Sequence, residues 1–190
     1  MPVLSRTEME AIGFKSLGKN VLISDKASFW NVRNISIGDN SRIDDFCVLS
    51  AGLGGIRIGR YVHVAVFCSL IGAAEIVLED FSCISGRVSI YSSSDDFSGP
   101  YMSNSTIPDK YKHVINGPVR LRKHALVGAG SVILPNTDIG EGSRVNAMSL
   151  AYGTLKEYTQ YGGVPVQKVR SLPKVLPELE KRFLEEQDEL

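Results

Sequence analysis

Aliphatic residues recur at every sixth position along most of this 190-residue chain. They form triplets: Ile37, Ile43 and Leu49; Ile58, Val64 and Leu70; Leu78, Ile84 and Ile90; Leu121, Val127 and Ile133; Ile139, Val145 and Ala151. Ile23, Phe29 and Ile35 read as a weaker first triplet. Four residues after most of them stands a small or β-branched residue, among them Ser41, Cys47, Val62, Cys68, Ala125, Ser131 and Ser149. The residue directly after is often glycine or acidic, as at Gly38, Asp44, Gly59, Glu79, Gly128 and Gly140.

A period of six matches neither the 3.6 of a helix nor the plain alternation of a hairpin. It fits short strands joined by tight turns. Successive side chains on a strand face opposite sides, so the aliphatic points inward and the small residue sits at a corner where the interior is narrow. Glycine and polar residues at the turns supply unusual backbone angles. Three such strands per coil make an all-β, triangular parallel solenoid, in which each coil buries its apolar face only against its neighbours. The repeat supplies about five and a half coils. Fifteen positions in register are too many for chance spacing in a β-sandwich.

The breaks in the period matter as much. The steps from Leu49 to Ile58 and from Leu70 to Leu78 need two or three extra residues, whereas Ile90 to Leu121 needs twenty-five. That excursion, about 92–118, is polar and carries Pro100, Pro108 and Pro118. A long aperiodic loop in a compact domain is usually functional or disordered, and its Tyr, Phe and Met content favours order. Ser5-Arg6-Thr7-Glu8 is a capping box opening a short helix. Near the C-terminus Leu176, Leu179 and Phe183 make one apolar stripe among charges, an amphipathic helix suited to cap the open end of the solenoid. The expected organisation is a helical segment over 1–20, the solenoid with its loop over 21–155, and a C-terminal segment and helix over 156–190.

Composition narrows the function. With 21 basic and 21 acidic residues the formal net charge is zero, which argues against non-specific nucleic-acid binding. No apolar run approaches the ~18 residues of a membrane span, and the N-terminus has no signal-peptide core. The expected compartment is the cytoplasm. Cys47, Cys68 and Cys83 imply neither a disulfide framework nor a zinc site.

The hexapeptide pattern, the loop and the C-terminal segment together resemble the hexapeptide-repeat acyltransferases that use acetyl-CoA. Within that family HVAVFCSLIG, IYSSSDDFSG and VGAGSVILPNTDIGEGS are similar to the branch acting on nucleotide-linked amino sugars in surface-polysaccharide biosynthesis. The resemblance spans about 20–175. It implies a left-handed parallel β-helix, against the usual right-handed crossover, and a homotrimer with active sites between neighbouring solenoids. It implies acetyl-CoA as acyl donor and no metal.

The resemblance also suggests where chemistry sits. Galactoside-type relatives use a histidine at the start of the loop to deprotonate a hydroxyl; here Asp95 stands there. An ordinary aspartate, pKa ~3.9, is a weak base for a hydroxyl, which needs a base with a pKa near working pH. A neutral amine is already nucleophilic, and Asp95 or Asp96 could orient it and hold its developing charge. That favours N-acylation. The competing reading of SSDD is a solvated turn or an Asx cap. His63 could orient the thioester, accept the proton or touch a ligand between subunits, or be a surface residue at a corner. Ser85 and Tyr101 are further acceptor contacts; His113 and His124 read as structural. On the CoA side the family pattern falls on Ala129 and Ala147, whose small side chains admit the pantetheine arm. It continues at Gly163 and Pro165, then Lys168 and Arg170, whose cations suit phosphates. Gly153 and Gln167 stand where the family is often basic. The alternatives are an O-acetyltransferase with His63 as base, a zinc carbonic anhydrase needing three convergent histidines, and a non-catalytic trimer.

Overall fold

The computed structural model describes residues 2–188. Three parallel sheets of seven, seven and six strands stack coil on coil, with one antiparallel strand added to the second. That is six complete turns and two strands of a seventh. The inward stacks are in strict register. In the first sheet Leu17, Ile37, Ile58, Leu78, Leu121, Ile139 and Leu155 pair in succession. In the second, Ile23, Ile43, Val64, Ile84, Val127, Val145 and Tyr161 do so. In the third the stack is Phe29, Leu49, Leu70, Ile90, Ile133 and Ala151. Each fully buried aliphatic is worth roughly 1.5–3 kcal/mol over leaving it in water.

The first triplet differs from the sequence reading. Leu17, Ile23 and Phe29 form the first coil, and Ile35 sits two residues before the stack, paired with Ile56. A 3₁₀ turn at Val32–Asn34 inserts the extra residues that displaced the period.

The small residues lie where expected: Ser41, Cys47, Val62, Cys68, Ser82, Val88, Ala125, Ser131, Thr137, Ser143 and Ser149 are all buried. Their polar groups bridge coils. Ser41 Oγ donates to the Gly59 carbonyl at 2.7 Å, Ser131 to Asn146 at 2.9 Å and Ser143 to Lys156 at 2.6 Å, as buried hydroxyls require; the Ser82 hydroxyl is the exception and finds no partner among the described residues.

Gly130 and Gly142 supply positive φ at the corners as expected, but the glycines directly after the aliphatics are used differently. Gly38, after its aliphatic, has no positive φ; a Cβ there would lie 2.7 Å from the Gly59 backbone of the next coil. Its role is close stacking. The left-handed backbone falls three residues after the inward aliphatics of the first two sheets, Ile23 excepted: on Asn20, Asn40, Tyr61, Phe81, His124, Gly142 and Tyr158 at the first corner and on Phe46, Phe67, Arg87, Gly130 and Met148 at the second. A non-glycine residue in that region costs roughly 1–2 kcal/mol. Stacking offsets part of it: Tyr61 on Phe81 at 4.9 Å, Phe81 on His124 at 5.1 Å, and Phe46 on Phe67 at 4.9 Å between centroids. Such pairs contribute about 0.5–1.5 kcal/mol each beyond burial.

Helix α1 (Arg6–Ile12) opens with the expected capping box between Ser5 and Glu8. Helix α2 (Leu176–Asp188) does not cover the open end. It packs along the first corner, with Phe183 edge-on to Tyr61 and Phe81 at 5.2 and 6.1 Å. Glu180 binds His124 Nε2 at 2.7 Å and Lys123 Nζ at 2.5 Å. At that end of the second sheet, Thr159–Gly163 folds back as a hairpin on Val166–Ser171. Of the apolar stripe it is Phe183 that meets the aromatic ladder, while Leu179 stays half exposed.

Candidate active site

The loop is ordered. It leaves the third sheet after Ser89–Tyr91 and begins with an antiparallel hairpin, Ser93–Asp95 against Val114–Asn116. Buried Ser92 ties its root by donating to the Ala74 carbonyl at 2.7 Å. The two aspartates at its mouth have different surroundings. Asp96 accepts from the Ser98 backbone at 2.6 Å, from the Ser98 hydroxyl, and pairs with His113 Nδ1 at 2.8 Å. The Ser98 and His113 bonds hold its pKa at about 2. Asp96 is thus the Asx cap considered for this segment. Asp95 accepts one bond, from the Asn104 amide to Oδ2 at 3.2 Å. Its Oδ1 accepts none among the described residues.

A cleft of about 430 Å³ opens beside it, lined by Asp95, Asp96, Phe97, Ile115, Leu134 and Tyr152, among others. Its walls are largely apolar, and among the described residues no histidine lines it. Tyr101 lies 5.1 Å from the His113 ring, outside the cleft lining.

His63 and Ser85 lie elsewhere. His63 belongs to a strand of the second sheet, His63–Val64, and not to a corner; alternation turns it outward because Val64 is in the core. Its Nε2 meets Asp44 Oδ2 at 2.9 Å, and Arg42 Nε donates to Asp44 Oδ1 at 2.6 Å. Burial works to raise the Asp44 pKa, but the Arg42 and His63 bonds outweigh it and lower it. Ser85 follows Ile84 on the same outward face, and its hydroxyl makes no hydrogen bond among the described residues. The three histidines are paired to three carboxylates, Asp44, Asp96 and Glu180, in three places; they do not converge.

The second corner carries a groove of about 370 Å³ over consecutive coils, lined by Val66, Gly86, Ala129 and Ala147 with Phe67, Arg87, Gly130 and Met148. The first four stand two residues after the inward stack, one per coil. Their carbonyls at Val66, Gly86 and Ala129 accept from the next coil. Their N–H groups find no acceptor among the described residues. A row of free amide donors one coil apart, about 4.8 Å, is a site for a ligand with its own amides. Gly163 stands at the same position on the next coil, but its N–H donates to Ser149 Oγ at 3.1 Å; its φ of +109° and a Cβ position 3.2 Å from the Pro165 carbonyl require glycine. Beyond it, on the hairpin, Lys168 makes no ion pair among the described residues, and Arg170 Nε donates to Gln160 at 2.7 Å. Sequence reading found Ala129 and Ala147 but missed Val66 and Gly86, which share their spacing from the aliphatic.

No protein-family model matches the chain. It is 45% identical over 183 residues, 96% of this chain and 95% of the relative, to a dTDP-4-amino-4,6-dideoxy-D-glucose acyltransferase of Escherichia coli. Among solved structures it is similar to AntD, an N-acyltransferase from Bacillus cereus. The form with dTDP-4-amino-4,6-dideoxyglucose and coenzyme A is 46% identical, with a TM-score of 0.93 over 97% of both chains. The form with dTDP and 3-hydroxybutyryl-CoA is 45% identical, with a TM-score of 0.92 over 98% of both. The solenoid, the corner groove and these likenesses lead to one conclusion: the chain belongs to the CoA-dependent, hexapeptide-repeat N-acyltransferases of nucleotide-linked amino sugars.

Proposed function

We propose that the protein moves a short acyl group from acyl-CoA to the amine of a dTDP-linked amino-dideoxysugar. The observation that carries this reading is the apolar cleft with one open carboxylate oxygen, on Asp95, and no imidazole. Such a site handles an amine better than a hydroxyl. Pantetheine lies along the second corner with its amides against the N–H groups of Ala129 and Ala147. It passes Gly163 and Pro165, and its phosphates meet Lys168 and Arg170. The amine nitrogen, oriented by Asp95, attacks the thioester carbonyl. The C–N bond forms and the nitrogen passes a proton to Asp95; the C–S bond breaks and CoA leaves as the thiol with that proton. The Ser85 hydroxyl contacts the reacting groups, and Asp96 positions the loop through His113 and Ser98.

Ser85 and His63 face outward from the second sheet while Asp95 projects from the third, so a complete site calls for a second copy. A homotrimer with sites between solenoids satisfies that. Acyl-CoA and a nucleotide sugar as substrates fit a cytoplasmic enzyme of surface-polysaccharide biosynthesis; among the described residues no helix is long and apolar enough to cross a membrane. An O-acetyltransferase would need His63 as base, and His63 does not line the cleft of Asp95.

The test is thiol release from acetyl-CoA and 3-hydroxybutyryl-CoA with dTDP-4-amino-4,6-dideoxyglucose against its 4-hydroxyl counterpart. Turnover only with the amine is expected. Turnover with the hydroxyl alone would move His63 to the centre and reject the amine reading.

A further inference from the structure

The corner groove has a closed end, and its position along the solenoid gives that end a role. Moving down from the cationic hairpin, the row reads Gly163, Ala147, Ala129 and Gly86, all small, and then Val66. Next to Val66 stands Phe67, stacked on Phe46 at 4.9 Å between centroids. Below that, Asp45 is held by Ser24 and Lys26, and Lys26 lies over the Phe46 ring. The open trough therefore stops at the coil of Val66.

The reacting centre is one coil above that stop. Ser85 and Gly86 are adjacent in the coil whose third strand, Ser89–Tyr91, leads into the loop of Asp95. Three coils separate Gly86 from Gly163, so a donor anchored by Lys168 and Arg170 brings its thioester to the level of Gly86. The acyl chain then continues toward Val66. One coil step is about 4.8 Å, which accommodates on the order of four extended carbons at ~1.5 Å per bond.

We infer that Gly86 and Val66 set the acyl-chain length this enzyme accepts: Gly86 leaves room for a chain longer than acetyl, and Val66 with Phe67 ends the trough at about four carbons. The inference rests on the acyl-transfer reading above. The backbone allows the test, because Gly86 has no positive φ and a Cβ there would meet only Val66, at 3.3 Å from its carbonyl oxygen and 3.4 Å from Cγ1. Those are contacts a shift of a few tenths of an ångström relieves.

The experiment measures kcat/KM for acetyl-, butyryl-, hexanoyl- and octanoyl-CoA with the native enzyme, Gly86→Ala, Gly86→Val and Val66→Gly, alongside the affinity of each for CoA itself. The native enzyme is expected to use acetyl and butyryl donors and to fall at least tenfold at hexanoyl. Gly86→Ala should lower the butyryl-to-acetyl ratio severalfold and Gly86→Val by tenfold or more. Val66→Gly should raise the hexanoyl-to-acetyl ratio by tenfold or more. Ratios within twofold of native in variants that still bind CoA would overturn this inference while leaving acyl transfer standing. No turnover of any donor by the native enzyme would overturn both.

Discussion

Two corners of this solenoid share a backbone and differ in what their amides meet. At the first corner three of these N–H groups, those of Lys19, Arg60 and Lys123, are capped by the chain's own carboxylates, Asp39, Asp80 and Glu79, at 2.7, 2.7 and 3.1 Å, while those of Asp39, Asp80 and Glu141 find no acceptor among the described residues. The aromatic ladder there is roofed by α2. At the second corner the equivalent N–H groups of Val66, Gly86, Ala129 and Ala147 are uncapped, the side chains are small, and no element among the described residues covers the groove. An identical left-handed turn is thus a joint in one place and a binding surface in the other. Buried or covered polar groups demand partners; a corner left without them is one that expects a ligand.

That contrast predicts a separation of effects. Substitutions on the open side should remove activity and spare stability; those at the roofed corner should do the reverse. The largest effect is expected for Asp95→Asn, which keeps the Asn104 contact but loses the charge. Its kcat should fall by about 10²–10⁴, the usual worth of a positioned acid–base group, with an unchanged Tm. A loss below tenfold would remove Asp95 from the chemistry. Next is Phe183→Ala, which strips the ladder of its edge-on partner. Unfolding free energy should drop by roughly 1–3 kcal/mol, read by denaturant titration, with kcat intact below the transition. Lys168→Ala and Arg170→Ala should each raise KM for the acyl donor by about three- to tenfold at unchanged kcat, less so at high salt because exposed charge contacts are screened. Salt-independent KM would place the phosphates elsewhere.

The smallest effect concerns acid. Burial raises the Glu180 pKa, but hydrogen bonds from Lys123 and His124 more than reverse this and hold it below 4.5. The folded state therefore binds that proton more weakly than the unfolded chain. The stability Glu180 contributes is complete above about pH 4.5 and is lost as the pH falls through the lowered value. Glu180→Gln should flatten the acid limb of Tm against pH without touching kcat at neutral pH. An unaltered limb would mean that α2 docks through Phe183 alone.

The solenoid was legible because its period is a packing rule: each aliphatic must meet the one a coil away, so Ile84 announces Val64 and Val127. The 3₁₀ turn at Val32–Asn34 obeys local geometry and hid the first coil. The glycines directly after the aliphatics misled for a related reason, since a glycine needed for close approach looks in sequence like one needed for its φ. In the loop, Asp95 was visible from its place at the mouth. What separates it from Asp96 is the partner each carboxylate finds, Ser98 and His113 for one and only Asn104 for the other, and those contacts depend on how the loop folds back. The docking of α2 was likewise hidden, because its target is a column of Tyr61, Phe81 and His124 spread over some sixty residues of chain.

Amide hydrogen exchange with and without CoA addresses the two-corner contrast directly. The account predicts that CoA slows exchange at Gly86, Ala129 and Ala147, whose N–H groups are otherwise free, and leaves Arg60 and Lys123 unchanged. Protection at the first corner, or none at the second, would contradict it.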